Sequence, residues 1–208
     1  ALGDTTKLKY GGMKHSTNLS APQTFFKWLT LNPKISLRED WIFNYKMKND
    51  LDEEIDVEGF RRRLTGNTSL SAKTKMYGLF PITIGRLNAI RHVITPTLSY
   101  QYQPDFSDSK LGGDLYFQNN GSDKAFDYFK GSYVGKTDTI EKRTYRLSVD
   151  NVFQAKIRDA KGEYYKSNFL TWNSSISYNT LKDSLKLSEM TSNIRVKSLS
   201  GGELFRVS

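Results

Sequence analysis

Arg91–Phe106, RHVITPTLSYQYQPDF, is the stretch whose reading decides the fold. Ile94, Pro96, Leu98, Tyr100 and Tyr102 recur at every second position. Val93, Thr95, Thr97, Ser99, Gln101 and Gln103 alternate with them. A period of two predicts a β-strand with one apolar, aromatic-rich face and one mostly polar face. Pro96 lies in the middle of the apolar face. Proline cannot donate to a ladder, so the centre of a soluble sheet is a poor place for it. The stretch is expected to be one stave of a transmembrane β-barrel.

The same alternation extends outward in both directions. Leu31, Pro33, Ile35, Leu37, Trp41, Phe43, Tyr45 and Met47 share one face of a stave over 29–48, with Glu39 and Ile42 as the two exceptions to the pattern. Further staves are expected at about 6–20, 60–80, 90–104, 141–158, 164–179 and 191–199. They make an all-β, antiparallel meander of about eight long strands, with 1–208 forming part of one barrel domain. An acidic loop is expected over Asn49–Gly59, a connector over Phe80–Ala89, and a break at Gly201–Gly202. The glycine-rich, aromatic segment 104–139 is the one long loop. In outer-membrane barrels long loops face outside and short turns face the periplasm, so the stave ending near Gln103 is expected to run outward.

Composition agrees with this class. The chain has 208 residues, no cysteine and two histidines. That leaves no disulfide framework and little room for histidine chemistry. Tyr and Phe number 12 each in a chain only 37% hydrophobic, as suits a barrel with a lipid face and a polar lumen. No apolar run is long enough for a membrane helix. The N-terminal ALGDTTKLKY has no signal-peptide core, and the chain ends in Arg206-Val207-Ser208 without a terminal aromatic, so it is expected to be an internal portion of a longer barrel. The net charge of +9 is spread over alternating segments, and nucleic-acid motifs are absent. The acidic loop lacks the spacing of a calcium-binding EF-hand. No nucleophile–base pair or carboxylate dyad stands out, so neither catalysis nor a cofactor is expected.

Leu31–Leu37 (LNPKISL) echoes Ile94–Tyr100 (ITPTLSY). Each places a proline on the apolar face. Pro33 and Pro96 are either tolerated at ladder positions that need no donor or used to weaken pairing.

The run GLFPITIGRLNAIRHVITPTLSYQYQPDF resembles the LptD-like lipopolysaccharide-assembly proteins of the outer membrane, in a form associated with Bacteroidetes and Chlorobi. Arg91, His92, Thr95, Pro96, Ser99, Tyr100, Tyr102, Pro104, Asp105 and Phe106 carry the most specific part. FDYFKGSYVG, LSVDNVFQAKIRDAKGE and TWNSSISYNT are similar to the same family's later segments. The resemblance implies a large barrel in the outer membrane of a Gram-negative cell. It implies that lipopolysaccharide arrives from periplasmic bridge components, and that its sugar crosses the lumen while its lipid leaves sideways between strands. It also implies a plug lipoprotein. The cysteines that tie barrel to jellyroll in enterobacterial members are absent. Prolines near the exit seam are thought in this family to weaken pairing, which Pro33 and Pro96 match in type.

Read from the residues themselves, Lys34, Arg38, Lys46, Arg61, Arg63, Lys73, Lys75, Arg91 and Arg146 fall on the polar face. They are candidates for a positive lumen wall meeting a polyanionic headgroup, or simply charges of a polar barrel interior. Two other readings stay open: a porin or nutrient receptor, and a soluble secreted β-sheet protein that binds carbohydrate. The last predicts strands of about five or six residues and a dry two-sheet core.

Overall fold

The structure is a computed structural model that describes residues 11–119, 125–159, 161–199 and 203–207. The part of the first expected stave before Gly11 and the Gly201–Gly202 break lie outside them. The strands are β1 (Gly12–Ser20), β2 (Gln23–Phe25), β3 (Leu29–Lys48), β4 (Glu54–Thr74), β5 (Met76–Ile84) and β6 (Leu87–Gln103). After the long loop, β7 (Phe117–Gln118) and β8 (Phe126–Asp127) are two-residue strands, followed by β9 (Lys142–Arg158), β10 (Tyr164–Asn179), β11 (Thr191–Lys197) and β12 (Glu203–Val207).

The fold is all-β. Among the described residues one sheet runs in the order β1-β3-β4-β6-β9-β10-β11-β12, with β2 beside β3 and β5 beside β6. The pairs β2–β3, β5–β6, β9–β10, β10–β11 and β11–β12 are antiparallel. This is the meander the period-two pattern predicts. Its main strands reach 17 to 21 residues in β3, β4, β6 and β9, far above the usual five or six.

Three expectations are corrected. The stave expected at 60–80 begins earlier and is split: β4 starts at Glu54 inside the supposed acidic loop, and Lys75 separates β4 from β5. The supposed connector Phe80–Ala89 is mostly strand. β5 and β6 form a hairpin in which Phe80 faces Ile90 and Pro81 faces Ala89. The turn is confined to Gly85 and Arg86, and the positive φ of 58° at Gly85 explains why a glycine stands there. Segment 104–139 is also more ordered than its composition suggests. It contains a 3-10 turn at Ser109–Leu111, one helical turn α1 at Gly113–Tyr116, and the β7–β8 ribbon.

Contacts divide the chain into two compact units. The first holds Lys34–Thr68, Tyr102–Lys142 and the stretch up to Leu19. Its core is built by the long loop: Phe106, Tyr116, Phe117, Phe129 and Val134 bury themselves with Ile42 of β3. Ile42, the exception on the polar face of its stave, is thereby explained. Tyr116 also uses its hydroxyl as a strand would, since Leu64 N–H donates to it and it donates to Leu64 C=O, both at 3.1 Å. Gly66 marks a close approach of β3 and β4. A Cβ there would lie 2.5 Å from the Ser36 carbonyl oxygen.

The second unit holds Ser20–Pro33, Ser69–Gln101 and the stretch from Arg143. Among the described residues the ladder of this unit shifts register in β5–β6 between Pro81 and Ile84, in β11–β12 between Val196 and Lys197, and in β9–β10. The β9–β10 register shifts between Asn168 and Leu170. Leu170 pairs with Phe153, but Asn168 pairs with Gln154. The bulge moves Lys166 and Asn168 to the face of Lys156 and Gln154, which keeps the polar side polar.

Candidate functional site

The polar face carries the candidate site, and each unit contributes a pocket of its own. In the first unit a pocket of about 290 Å³ is lined by Ser16, Asn18, Ser36, Arg38, Arg63, Thr65, Asn67, Gln103, Lys136 and Asp138 among others. β3 and β4 present Ser36, Arg38, Arg63, Thr65 and Asn67 because these alternate with the apolar set. The returning loop adds Lys136 and Asp138.

Asp40 is the centre of its electrostatics. It is fully buried, and its two oxygens accept from Arg38 Nε at 2.7 Å and Arg63 Nη2 at 2.7 Å. Arg63 is 2% exposed. It also donates to Thr137 Oγ1 at 2.8 Å and Gly135 C=O at 3.1 Å, and its guanidinium lies 4.3 Å from the Phe129 ring centre. Arg38 donates to Val134 C=O at 2.7 Å. Thr137 in turn donates to Asp127 from both its N–H and its hydroxyl. Two arginines of the wall therefore fasten the loop. Two positive charges share one buried carboxylate, and Lys136 beside them is exposed and makes no ion pair among the described residues. The pocket keeps a cationic excess.

Two carboxylates at the loop's edges are tuned. Partial burial pushes Asp138 up, but hydrogen bonds from Lys142 and Gln103 outweigh it and hold the group below the usual aspartate range. Glu54 is lowered by its hydrogen bond from Lys130, with Lys46 adding attraction.

In the second unit a smaller pocket of about 160 Å³ is lined by Leu79, Ala89, Arg91, Gln154, Ala155, Lys156 and Lys166. Arg91 donates to Gln154 Oε1 at 2.6 Å, and Gln154 donates to Asn168 Oδ1 at 2.7 Å.

The expected basic residues are thus distributed unevenly. Arg38 and Arg63 meet in the first pocket and Arg91 lines the second. Arg61 is stacked against Tyr45 and Tyr128, with ring centres at 4.6 and 3.9 Å. Lys34 and Lys73 are exposed on β3 and β4, Lys75 is exposed in the gap before β5, and all three line neither pocket. Arg146 donates to Ser175. Lys136, Lys156 and Lys166 were not singled out by the sequence pattern. Lys136 lies in the irregular loop, and Lys166 reaches its face only through the bulge.

The motif residues do separate jobs. His92 Nε2 is 3.0 Å from Asn151 Oδ1 and stacks on Phe153 at 4.0 Å. Asn151 donates onward to Trp172 C=O. Thr95 is buried, Ser99 donates to Arg146 C=O, and Tyr100 packs on Tyr145. Asp105 accepts from Ser107 N–H at 2.7 Å and starts the loop, while Tyr102, Pro104 and Phe106 line an apolar groove.

Both strand prolines sit beside interruptions of a neighbouring strand. Ala21 N–H donates to Pro33 C=O at 3.1 Å, in the gap between β1 and β2. A hydrogen-bonded antiparallel pair exchanges two bonds, and proline can supply only one of them. Pairing of β5 with β6 begins at Met76 opposite Ile94, two residues short of Pro96, where Lys75 separates β4 from β5.

An antiparallel meander of such long strands, exposing large apolar side chains on one face and gathering cations on the other, defines the wall of an outer-membrane-type β-barrel. The chain belongs to the LptD protein family, whose model matches residues 3–204. Membership ties it at family level to lipopolysaccharide transport and assembly at the outer membrane. Searches of curated proteins and of solved structures each found no match.

Proposed function

We propose that this chain forms part of a single outer-membrane barrel domain that translocates lipopolysaccharide and inserts it into the outer leaflet. The observation that carries the reading is the exposure of Ile35, Leu37, Leu64, Leu70, Leu98, Leu147 and Trp172, between 39% and 51% each, along strands of 16 to 21 residues. A water-soluble protein rarely leaves so large an apolar surface uncovered, whereas acyl chains solvate it. The opposite face is the lumen. There Arg38 and Lys136 attract phosphorylated sugar by charge-assisted contacts, with the buried Arg63 holding the loop behind them, and Arg91, Lys156 and Lys166 do the same. Pro33 and Pro96 are weak-pairing positions of the wall. A plug lipoprotein and periplasmic bridge components are the partners this role requires.

The experiment is depletion of the full-length protein in its own cell, followed by quantification of surface lipopolysaccharide. Accumulation in the periplasm is the expected result, and normal surface levels would overturn the proposal. Co-purification from detergent identifies the plug.

A further inference from the structure

The second unit holds a wider cleft, of about 650 Å³, over β9, β10, β11 and β12. Six of its nine lining residues are polar, and the ladder registers set them in two rows. In the first row Asp150, Asn173 and Asn193 stand opposite one another across β9, β10 and β11. In the next row Thr171 stands opposite Arg195, and Arg195 stands opposite Arg206 of β12. Directly opposed side chains start about 4.5–5.5 Å apart, so one small molecule touches several of them at once. Along β9 the same face continues from Val152 to Gln154 and Lys156, which line the smaller pocket.

The arginine pair is the informative feature. Like charges directly opposite one another destabilise a sheet. Arg206 is exposed and makes no ion pair among the described residues. Asp150 is the one carboxylate lining the cleft. It lies three strands from Arg206, about 14 Å at the usual strand spacing, too far to compensate it. An anion lying between the two guanidiniums turns this repulsion into attraction. Around that point the side chains are uncharged hydrogen-bonding groups, and Asn173 and Asn193 are both exposed. We propose that Arg195 and Arg206 bind the phosphate of a phosphorylated sugar, while Asn173, Asn193 and Thr171 hold its hydroxyls. The inference rests on the function proposed above and adds to it a place where the headgroup is held on the second unit. Guanidinium groups offer paired donors that match phosphate oxygens. Amides and a hydroxyl both donate and accept, as sugar hydroxyls require.

The test follows the thermal midpoint of the full-length protein in detergent against inorganic phosphate, glucose 1-phosphate and glucose. Both phosphates are expected to raise the midpoint, glucose 1-phosphate at lower concentration, and glucose alone to leave it unchanged. Arg206→Gln removes the repulsion, so its midpoint without ligand is no lower than that of the wild type, yet its apparent affinity for glucose 1-phosphate falls about tenfold. Arg206→Lys keeps part of that affinity. Asn173→Ala with Asn193→Ala brings the response to glucose 1-phosphate down to that of inorganic phosphate. Lys182→Gln, at an exposed position between β10 and β11, changes neither response. A wild-type protein indifferent to both phosphates, or an Arg206→Gln variant that responds as the wild type does, overturns the site. Equal responses of the wild type to the two phosphates overturn its assignment to a sugar. Surface lipopolysaccharide after depletion is read separately. A delivery defect without a phosphate response sinks the site alone, whereas normal delivery sinks the function on which it rests.

Discussion

Asp40 is the carboxylate on which two arginines converge. It lies fully buried between Arg38 and Arg63. Removing one partner of a buried pair leaves an uncompensated charge and costs about 3–5 kcal/mol. Asp40→Ala therefore frees Arg63, and with it the Thr137 and Gly135 attachments of the loop. The expected outcome is faster amide exchange across Phe126–Asp138, with the exchange of β9 and β10 unchanged. Uniform acceleration in all three would contradict the localised role. Asn151 makes a second case. It stands in the apolar stripe of β9, where Tyr145, Leu147, Val149 and Phe153 lead a reader to expect another apolar residue. Its amide satisfies His92 on one side and Trp172 C=O on the other. In hydrocarbon an unpaired polar group is costly. Asn151→Leu, though more apolar, orphans the His92 ring nitrogen and lowers the thermal midpoint of the reconstituted barrel. A rise in that midpoint would refute the assignment.

At the scale of elements, alternation was legible because side-chain direction in a strand has a fixed period. β3, β6, β9 and β10 could be placed from it. What alternation could not show is what a neighbouring strand does. The gap at Lys75 and the bulge at Phe169 arise from pairing partners distant in sequence. The core of the long loop was hidden for a similar reason, since Phe106, Phe129 and Val134 have no common period and meet only through β3. Ile42 was the one visible trace of it. Pro33 C=O accepts from Ala21 N–H in the gap between β1 and β2, and the proline nitrogen has no proton to return. Pro33→Thr restores the missing donor. One hydrogen bond adds about 1 kcal/mol, so exchange at Ala21 and Gln23 is expected to slow about fivefold. Unchanged exchange would show that the gap has another origin. The loop's fastening has its own pH signature. Asp138 and Glu54 are both held below their usual pKa. A lowered carboxylate contributes stability above its unfolded-state pKa and loses it as pH falls through the lowered folded value. Proteolysis within 104–139 is therefore expected to stay constant from neutral pH to about pH 4 and to rise only below it. A rise near pH 6 would exclude these two groups as the anchors.

For the molecule as a whole, the decisive contrast is between its two faces, and it separates a membrane wall from a soluble sheet without reference to any substrate. Leu98 and Thr97 are neighbours on β6 and point to opposite sides. Leu98 is 51% exposed and Thr97 is partly buried. If the apolar face met water, Leu98→Lys would be nearly neutral, as substitutions at exposed positions are. If it meets hydrocarbon, a lysine there costs about 2–4 kcal/mol at the bilayer midplane, falling toward the interfaces. Thr97→Lys, facing a polar lumen, costs little in that case. The ranking of the two variants thus reverses between the readings, whatever the absolute values. Refolding both in detergent and in lipid, with denaturant midpoints as the readout, measures it. Destabilisation by Leu98→Lys exceeding that by Thr97→Lys is the outcome a barrel wall requires. The same pair at Leu147 and Ser148 on β9 checks that the face is continuous, because neighbouring strands of one wall must reach the same apolar band.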